Sequence, residues 1–197
     1  EYYLKGKHKY YKRKTLEDKK IAVQLLEKAV EIDENFLEAK RFTAFIPWDE
    51  GDSDKAIEVI LDVLDQAEKI DDSKVIKGCL NSLGFCYNNS GQYEKAEPYL
   101  LRLIEIAEKQ NDEYMLGMGY GNLAVTVLNR SNYNIQKIKK AEEYNAKARS
   151  IYKKSGKKSS IAANIEFRGN IYRYKGNVDK ALENYHQSLA IFIEIDK

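Results

Sequence analysis

Apolar residues recur three and four positions apart along nearly the whole chain, and these amphipathic runs come in pairs. The stretch Leu80 to Ala107, LNSLGFCYNNSGQYEKAEPYLLRLIEIA, shows the unit most plainly. Leu83, Gly84 and Tyr87 share one helical face, and Gly91 interrupts the run. Tyr93, Ala96, Leu100 and Leu103 then share a face of the next. Small residues stand where two backbones must approach, and large ones fill the space beside them. The pattern predicts two antiparallel helices joined by a tight turn.

The same pattern returns along the chain. The small residue early in each second run is Ala22, Ala56, Ala96, Ala141 or Ala181, at spacings of 34, 40, 45 and 40 residues. Partner runs precede them at about 2–13, 36–46, 73–89, 112–130 and 159–175. Turn signals separate several pairs: Asp49-Glu50-Gly51, Asn88-Asn89-Ser90-Gly91 and Lys175-Gly176-Asn177. A glycine just past a helix end supplies a left-handed cap. Asp33-Glu34-Asn35 and Asp71-Asp72-Ser73, between pairs, offer N-caps to the following helix. The expectation is one all-α array of five helix pairs, repeats of about 1–33, 36–70, 73–110, 112–154 and 159–196.

These residues resemble the tetratricopeptide repeat (TPR) family over essentially the whole chain. In LNSLGFCYNNSGQYEKAEPYLLRLIEIA and FRGNIYRYKGNVDKALENYHQSLAIF, a glycine, a tyrosine, a turn glycine and an alanine stand at family spacing. The period near 40 resembles the longer variant of kinesin light chains and bacterial signalling regulators. The opening YYLKGKHKYYKRKTLEDKKIAVQLLEKAVEID is similar to the repeat found beside nucleotide cyclase domains and related sensors. The resemblance implies a right-handed superhelical solenoid whose first helices line a concave side.

Four places depart from the pattern. In repeat two, Ala44 replaces the glycine and Pro47 the tyrosine. Its first helix should end near Ile46, with Trp48 plugging the junction. Repeat one has a long turn, KYYKRKTLED, and repeat four carries an insertion at about 132–136, expected to protrude. Pro98 should distort its helix slightly.

Stacked pairs bury what one pair cannot. The expected interior includes Leu26, Ile60, Leu83, Tyr87, Leu100, Leu123, Val127, Tyr172, Ala181 and Tyr185. The resemblance places the exposed concave positions at Arg41 and Phe45 in repeat two and at Asn81, Phe85 and Asn88 in repeat three. It places them at Asn122, Val125 and Asn129 in repeat four, and at Glu166, Asn170 and Arg173 in repeat five. Asparagine carries both donor and acceptor, so it can hold an extended peptide backbone whatever its sequence. Gly78, Asn81, Phe85, Gly121 and Val125 stand where family members that grip a C-terminal carboxylate need basic residues, so that mode is not expected.

The net charge is only +2, but Glu31 to Glu113 is acidic and both flanks are basic. Lysines and arginines cluster between Lys137 and Lys158. Clustered positive charge is what phosphate binding needs. The acidic middle opposes a long duplex, which puts nucleic acid behind protein as a partner. Cys79 and Cys86 lie seven residues apart on one helix, about 10 Å, too far for a disulfide. Buried thiols in a reducing, cytoplasmic setting fit this spacing. No apolar run is long enough to span a membrane.

No residue set suggests catalysis. His8 and His186 are far apart in sequence, with no metal-ligand spacing around them. Gly117, Gly119 and Gly121 fall inside a helical pattern with no preceding strand, so close helix packing accounts for them better than a phosphate loop. No cofactor, metal or enzymatic activity is expected. The sequence reads as a protein-interaction or sensory segment of a larger bacterial signalling protein, taking a peptide or partner domain on its concave face. The alternative is an intramolecular regulator of an attached cyclase or kinase. Open array ends favour packing between copies.

Overall fold

The computed structural model describes residues 1–195. They form eleven helices and no strand: α1 (Tyr2–Lys12), α2 (Leu16–Ile32), α3 (Leu37–Thr43), α4 (Phe45–Asp49), α5 (Ser53–Lys69), α6 (Ser73–Asn89), α7 (Tyr93–Lys109), α8 (Glu113–Asn129), α9 (Ile135–Ser155), α10 (Lys158–Tyr174) and α11 (Val178–Ile195). Paired helices α1 with α2, α3 and α4 with α5, α8 with α9, and α10 with α11 reproduce the periodicity of the sequence. The chain divides into two compact units, Glu1–Cys86 and a second from Tyr87 on, and the division falls inside α6.

Caps explain where the helices begin. Asp52, Asp72 and Asp112 accept from the backbone N–H of Lys55, Val75 and Met115, and Asn177 accepts from that of Lys180. Each satisfies one of the donors that a helix start leaves open. Thr15 and Asp18 form a reciprocal capping box at the start of α2. That box shortens the long turn expected in repeat one, because α1 continues to Lys12 and α2 starts at Leu16. Asp33 behaves differently from the expectation. It turns back on the N–H of Asn35, and α3 starts without a side-chain cap.

In unit one the core is aromatic. Phe42 is buried between Tyr3, Tyr10, Tyr11 and Phe45, with the Tyr3, Tyr10 and Tyr11 rings meeting it edge to face at 5.5 to 6.2 Å between centroids. Such pairs add to simple burial through their quadrupoles. The phenols reach acids: Tyr3 donates to Glu38 at 3.0 Å and Tyr10 to Asp49 at 2.7 Å. Burial alone would raise the Glu38 carboxyl, but the bonds from Lys74 and Tyr3 bring it below its ordinary value. Burial and the carboxylate partner push both phenols up.

The first helix of repeat two breaks earlier than the sequence suggests, at Ala44, and a short α4 follows. Pro47 has no N–H to return to the Thr43 carbonyl, so the ladder is lost there and resumes with Trp48 N–H on Ala44. Trp48 is half-buried and packs on Phe85 at 5.6 Å.

Unit two is packed differently, with tyrosines stacked in parallel pairs. Tyr87 lies on Tyr99, Tyr120 on Tyr144, and Tyr133 on Tyr174, at interplanar angles of 13°, 22° and 27°. Helix α7 runs unbroken through Pro98. Gly119 accepts the pressure of Ile104, whose Cγ1 would stand 2.7 Å from a Cβ added there. The insertion of repeat four closes as a turn with Asn132 and Tyr133 both at positive φ, 46° and 62°. Ser131 is buried beneath it, Asn134 caps α9, and Tyr133 protrudes 73% exposed while resting on Tyr174.

Most of the expected interior is buried, including Leu26, Ile60, Leu83, Tyr87, Leu100, Leu123, Val127 and Ala181. Tyr172 and Tyr185 are only half-buried. Both lie in the final pair, where Leu182, Leu189 and Ile193 of α11 also remain 50–55% exposed. Among the described residues no helix is long and apolar enough to cross a membrane.

Candidate docking surface

The residues expected to line a concave face divide into those that remain at a surface and those drawn into packing. Asn88 is drawn in. It is 7% exposed, its amide donates to the Asn122 carbonyl at 3.0 Å, and its Oδ1 accepts from Thr126 at 2.8 Å. Phe45 is half-buried against Tyr10 and Phe42, so its ring belongs to the aromatic core. Arg41 is half-buried, donates to Ser82 at 3.0 Å and presses on Gly78, where an added Cβ would stand 2.8 Å from its Nε. Of these, Asn88 is the correction, being buried, whereas Arg41 and Phe45 keep partial exposure. A position equivalent by repeat spacing faces outward only if the next element leaves it uncovered.

Other positions keep access. Phe85 is 38% exposed, and Glu166 and Arg173 are exposed. Asn81, Asn122, Val125, Asn129 and Asn170 are half-buried. Asn129 accepts from Tyr174, and Asn170 from Tyr185 at 2.8 Å, which fixes both amides. The Arg173 guanidinium stands 5.7 Å from the Tyr174 ring.

Within unit two, α8, α9 and α10 line a half-open pocket of about 230 Å³ that includes two of the expected residues, Asn122 and Val125. Each of α8 and α10 contributes a stripe at i, i+3, i+4 and i+7, beginning at Met118 and at Ser160. Tyr152 of α9 lines the pocket, 6% exposed, its phenol pushed up by burial. Gly121 makes room for that hydroxyl, since a Cβ there would lie 3.3 Å from it. The lining carries no charged residue.

Two lining residues, Asn145 and Asn164, were not expected from sequence. They are 3% and 5% exposed and exchange bonds, each amide nitrogen donating to the other's backbone carbonyl at 3.3 and 3.0 Å. Asn164 Oδ1 is left buried without a protein partner. Asn145 had a legible signal. It lies on the stripe Ala141, Asn145, Ala148, Tyr152, a polar residue among buried apolar ones. Asn164 had none, because repeat spacing selects the same angle on each helix, whereas a pocket between two helices is lined by their facing flanks.

The basic cluster of repeat four is largely engaged by the protein itself. Lys147 sits 4.8 Å from the Tyr120 ring centroid, and Lys157 sits 4.3 Å from that of Tyr114 and donates to its hydroxyl. Lys154 and Lys158 pair with Glu113 and Glu194. Cys79 and Cys86 are buried free thiols, pushed up to about 12 and about 11 by burial. Among the described residues, no group of three or more histidine, cysteine or acidic side chains could hold a metal.

Paired helices, glycine-relieved crossings and asparagine ties between neighbouring helices define a helix-pair repeat protein. The tetratricopeptide repeat model matches residues 78–110, and solved TPR-like repeat structures share the fold of the chain. A Rap protein complexed with competence and sporulation factor is 20% identical, with a TM-score of 0.79 over 100% of this chain and 54% of that one. A putative kinesin light chain repeat protein from Podosopora anserina is 18% identical, with a TM-score of 0.63 over 100% of this chain and 95% of that one. A signal transduction ATPase with a tetratricopeptide repeat sensor, from Pyrococcus horikoshii, is 22% identical, with a TM-score of 0.68 over 89% of this chain and 26% of that one. This chain thus spans about half of the Rap protein and a quarter of the ATPase. No curated protein sequence matches it.

Proposed function

We propose that the chain is a non-catalytic interaction module, acting in a reducing cytoplasm, that docks a peptide or an extended segment of a partner protein. In unit two the docking face is the side of α8 and α10 bearing Asn122, Val125, Asn129, Glu166, Asn170 and Arg173. The observation that carries the reading is the uncharged pocket beside Asn122 and Val125. In unit one, Asn81 and Phe85 are the exposed or half-exposed candidates for further contact. The Rap protein of similar fold was solved with competence and sporulation factor bound, which supports a peptide or protein partner. A sensor role within a larger regulatory protein is supported by the similar fold of the ATPase sensor.

Selection of displayed peptides on the immobilised chain, followed by fluorescence anisotropy, tests this. Asn122→Ala should weaken a selected peptide by about 0.5–1.5 kcal/mol through one lost hydrogen bond. Wild-type affinity in the Asn122→Ala/Val125→Ala double variant would remove this face from the site. Nucleic acid is disfavoured by the lysines of repeat four lying on tyrosine rings and acids.

A further inference from the structure

Helix α2 carries two open grooves end to end on one face. Leu16, Lys19, Lys20 and Val23 line the first, of about 440 Å³, together with Glu50. Glu27, Val30 and Glu31 line the second, of about 340 Å³, together with Thr43. The α2 residues recur three and four apart, so they form a single stripe. We infer that this stripe is a two-fold interface with a second copy of the chain, α2 lying antiparallel on α2. The interface uses neither the unit-two face nor Asn81 and Phe85, so it stands independently of the docking reading above.

Apolar residues come once every seven positions along the stripe, at Leu16, Val23 and Val30, two helical turns apart. Leu16 is 81% exposed, and Val23 and Val30 are half-buried. Charge is segregated about Val23: Lys19 and Lys20 lie before it, Glu27 and Glu31 after it. A closed dimer needs a surface that complements itself when turned through a two-fold axis. With Val23 on the axis, each residue lies opposite the one equally far on the other side. Leu16, seven before, meets Val30, seven after; Lys19, four before, meets Glu27, four after. Apolar thus meets apolar, and base meets acid twice over. A parallel, in-register pairing sets Lys19 beside Lys19 and Glu27 beside Glu27, which like charge opposes. Within the chain Lys19 stands 4.0 Å from Asp49, and Glu31 stands 3.1 Å from Lys28. Among the described residues Lys20 and Glu27 meet no opposite charge at ion-pair distance. A foreign partner would need the same alternation, whereas a second copy carries it by construction. One apolar contact every second turn, rimmed by charge, is smaller than a standard interface. The dimer is therefore expected with a Kd of roughly 10–100 μM and with marked salt dependence.

Sedimentation velocity over a concentration series tests the pairing on the whole chain. In about 50 mM salt the average mass should rise from monomer towards dimer, and about 500 mM salt should weaken the association at least fivefold. Lys19→Glu and Glu27→Lys each set like charges against each other twice across the axis, and each should weaken the dimer at least tenfold. Mixed in equal amounts, the two variants should regain wild-type association. The first then offers only acids at these two positions and the second only bases. Val23→Lys places two ammonium groups on the axis and should abolish the dimer. Melting curves check each fold, and Val23→Lys keeps the test decisive if Lys19→Glu, which loses its Asp49 contact, does not fold. A monomer at every concentration up to about 500 μM in low salt overturns the inference. So does a dimer that Val23→Lys leaves intact, or a mixture of the two charge variants that stays as weak as either alone.

Discussion

Unit one holds its helices together with rings and acids; unit two holds them with tyrosine stacks and asparagine-to-backbone bonds. In unit one Phe42 is the hub, and the polar ends of Tyr3 and Tyr10 are anchored on Glu38 and Asp49. In unit two Asn88, Asn145, Asn164 and Ser188 each donate to a backbone carbonyl of a neighbouring helix. The first arrangement fills space and tolerates an interrupted helix, so α3 and α4 lie beside it. The second demands regular backbone, since a carbonyl accepts from a fixed direction. It also leaves room, and the pocket arises where helices held apart by such bonds are not filled between. The contrast teaches that repeats of one ancestry of pattern need not share one means of adhesion.

The comparison breaks most readily at Phe42. Phe42→Ala removes the hub and should destabilise unit one by about 3–5 kcal/mol, read as a lower denaturant midpoint. A loss below about 1 kcal/mol would show that the aromatic cluster is not what holds that unit. Gly119→Leu tests the close crossing in unit two. A side chain driven into Ile104 should cost about 1–3 kcal/mol, and an unchanged melting temperature would refute the crossing.

A finer measurement is a double-mutant cycle on Asn145→Ala and Asn164→Ala. Each single change should cost about 0.5–1.5 kcal/mol by removing one amide-to-carbonyl bond. The pair should cost clearly less than the sum, because the two amides act as one lock. Strict additivity would mean that the reciprocal bonds carry no coupling.

The smallest effect lies at the capping box. Hydrogen bonds from Lys9, Lys14 N–H and Thr15 hold the half-buried Asp18 carboxyl well below the usual carboxylate range. A depressed folded-state value means stability present above about pH 4, the unfolded value, and lost as pH falls through the folded one. Asp18→Asn should therefore lower stability slightly near pH 7, leave it nearly unchanged at the acid end, and so flatten part of the acid limb of the stability profile. An acid limb identical to wild type would exclude the linkage.

Much of this was legible from residue order. The apolar period located most helices to within a residue or two, save at the turn of repeat one, in repeat two and at the start of α9, and Gly51, Gly91 and Gly176 adopt the positive φ expected of turn glycines. Repeat two escaped because the break follows from one missing bond at Thr43, and its position depends on how Ala44 and Trp48 restart the ladder. The candidate surface was legible only in part. Asn122 and Val125 line the pocket as positions flanking a core stripe should, but Asn88 is equivalent by spacing and buried.

Residue order by itself determined the all-helical class, the pairing, the turns and most of the interior, because each follows from interactions between residues a few positions apart. Tertiary structure alone decided which asparagines tie helices and which stay accessible, and it alone created the pocket between α8, α9 and α10. Those outcomes depend on distances between flanks of different helices, set by the packing of side chains such as Tyr152 and Ile104, which no local spacing encodes.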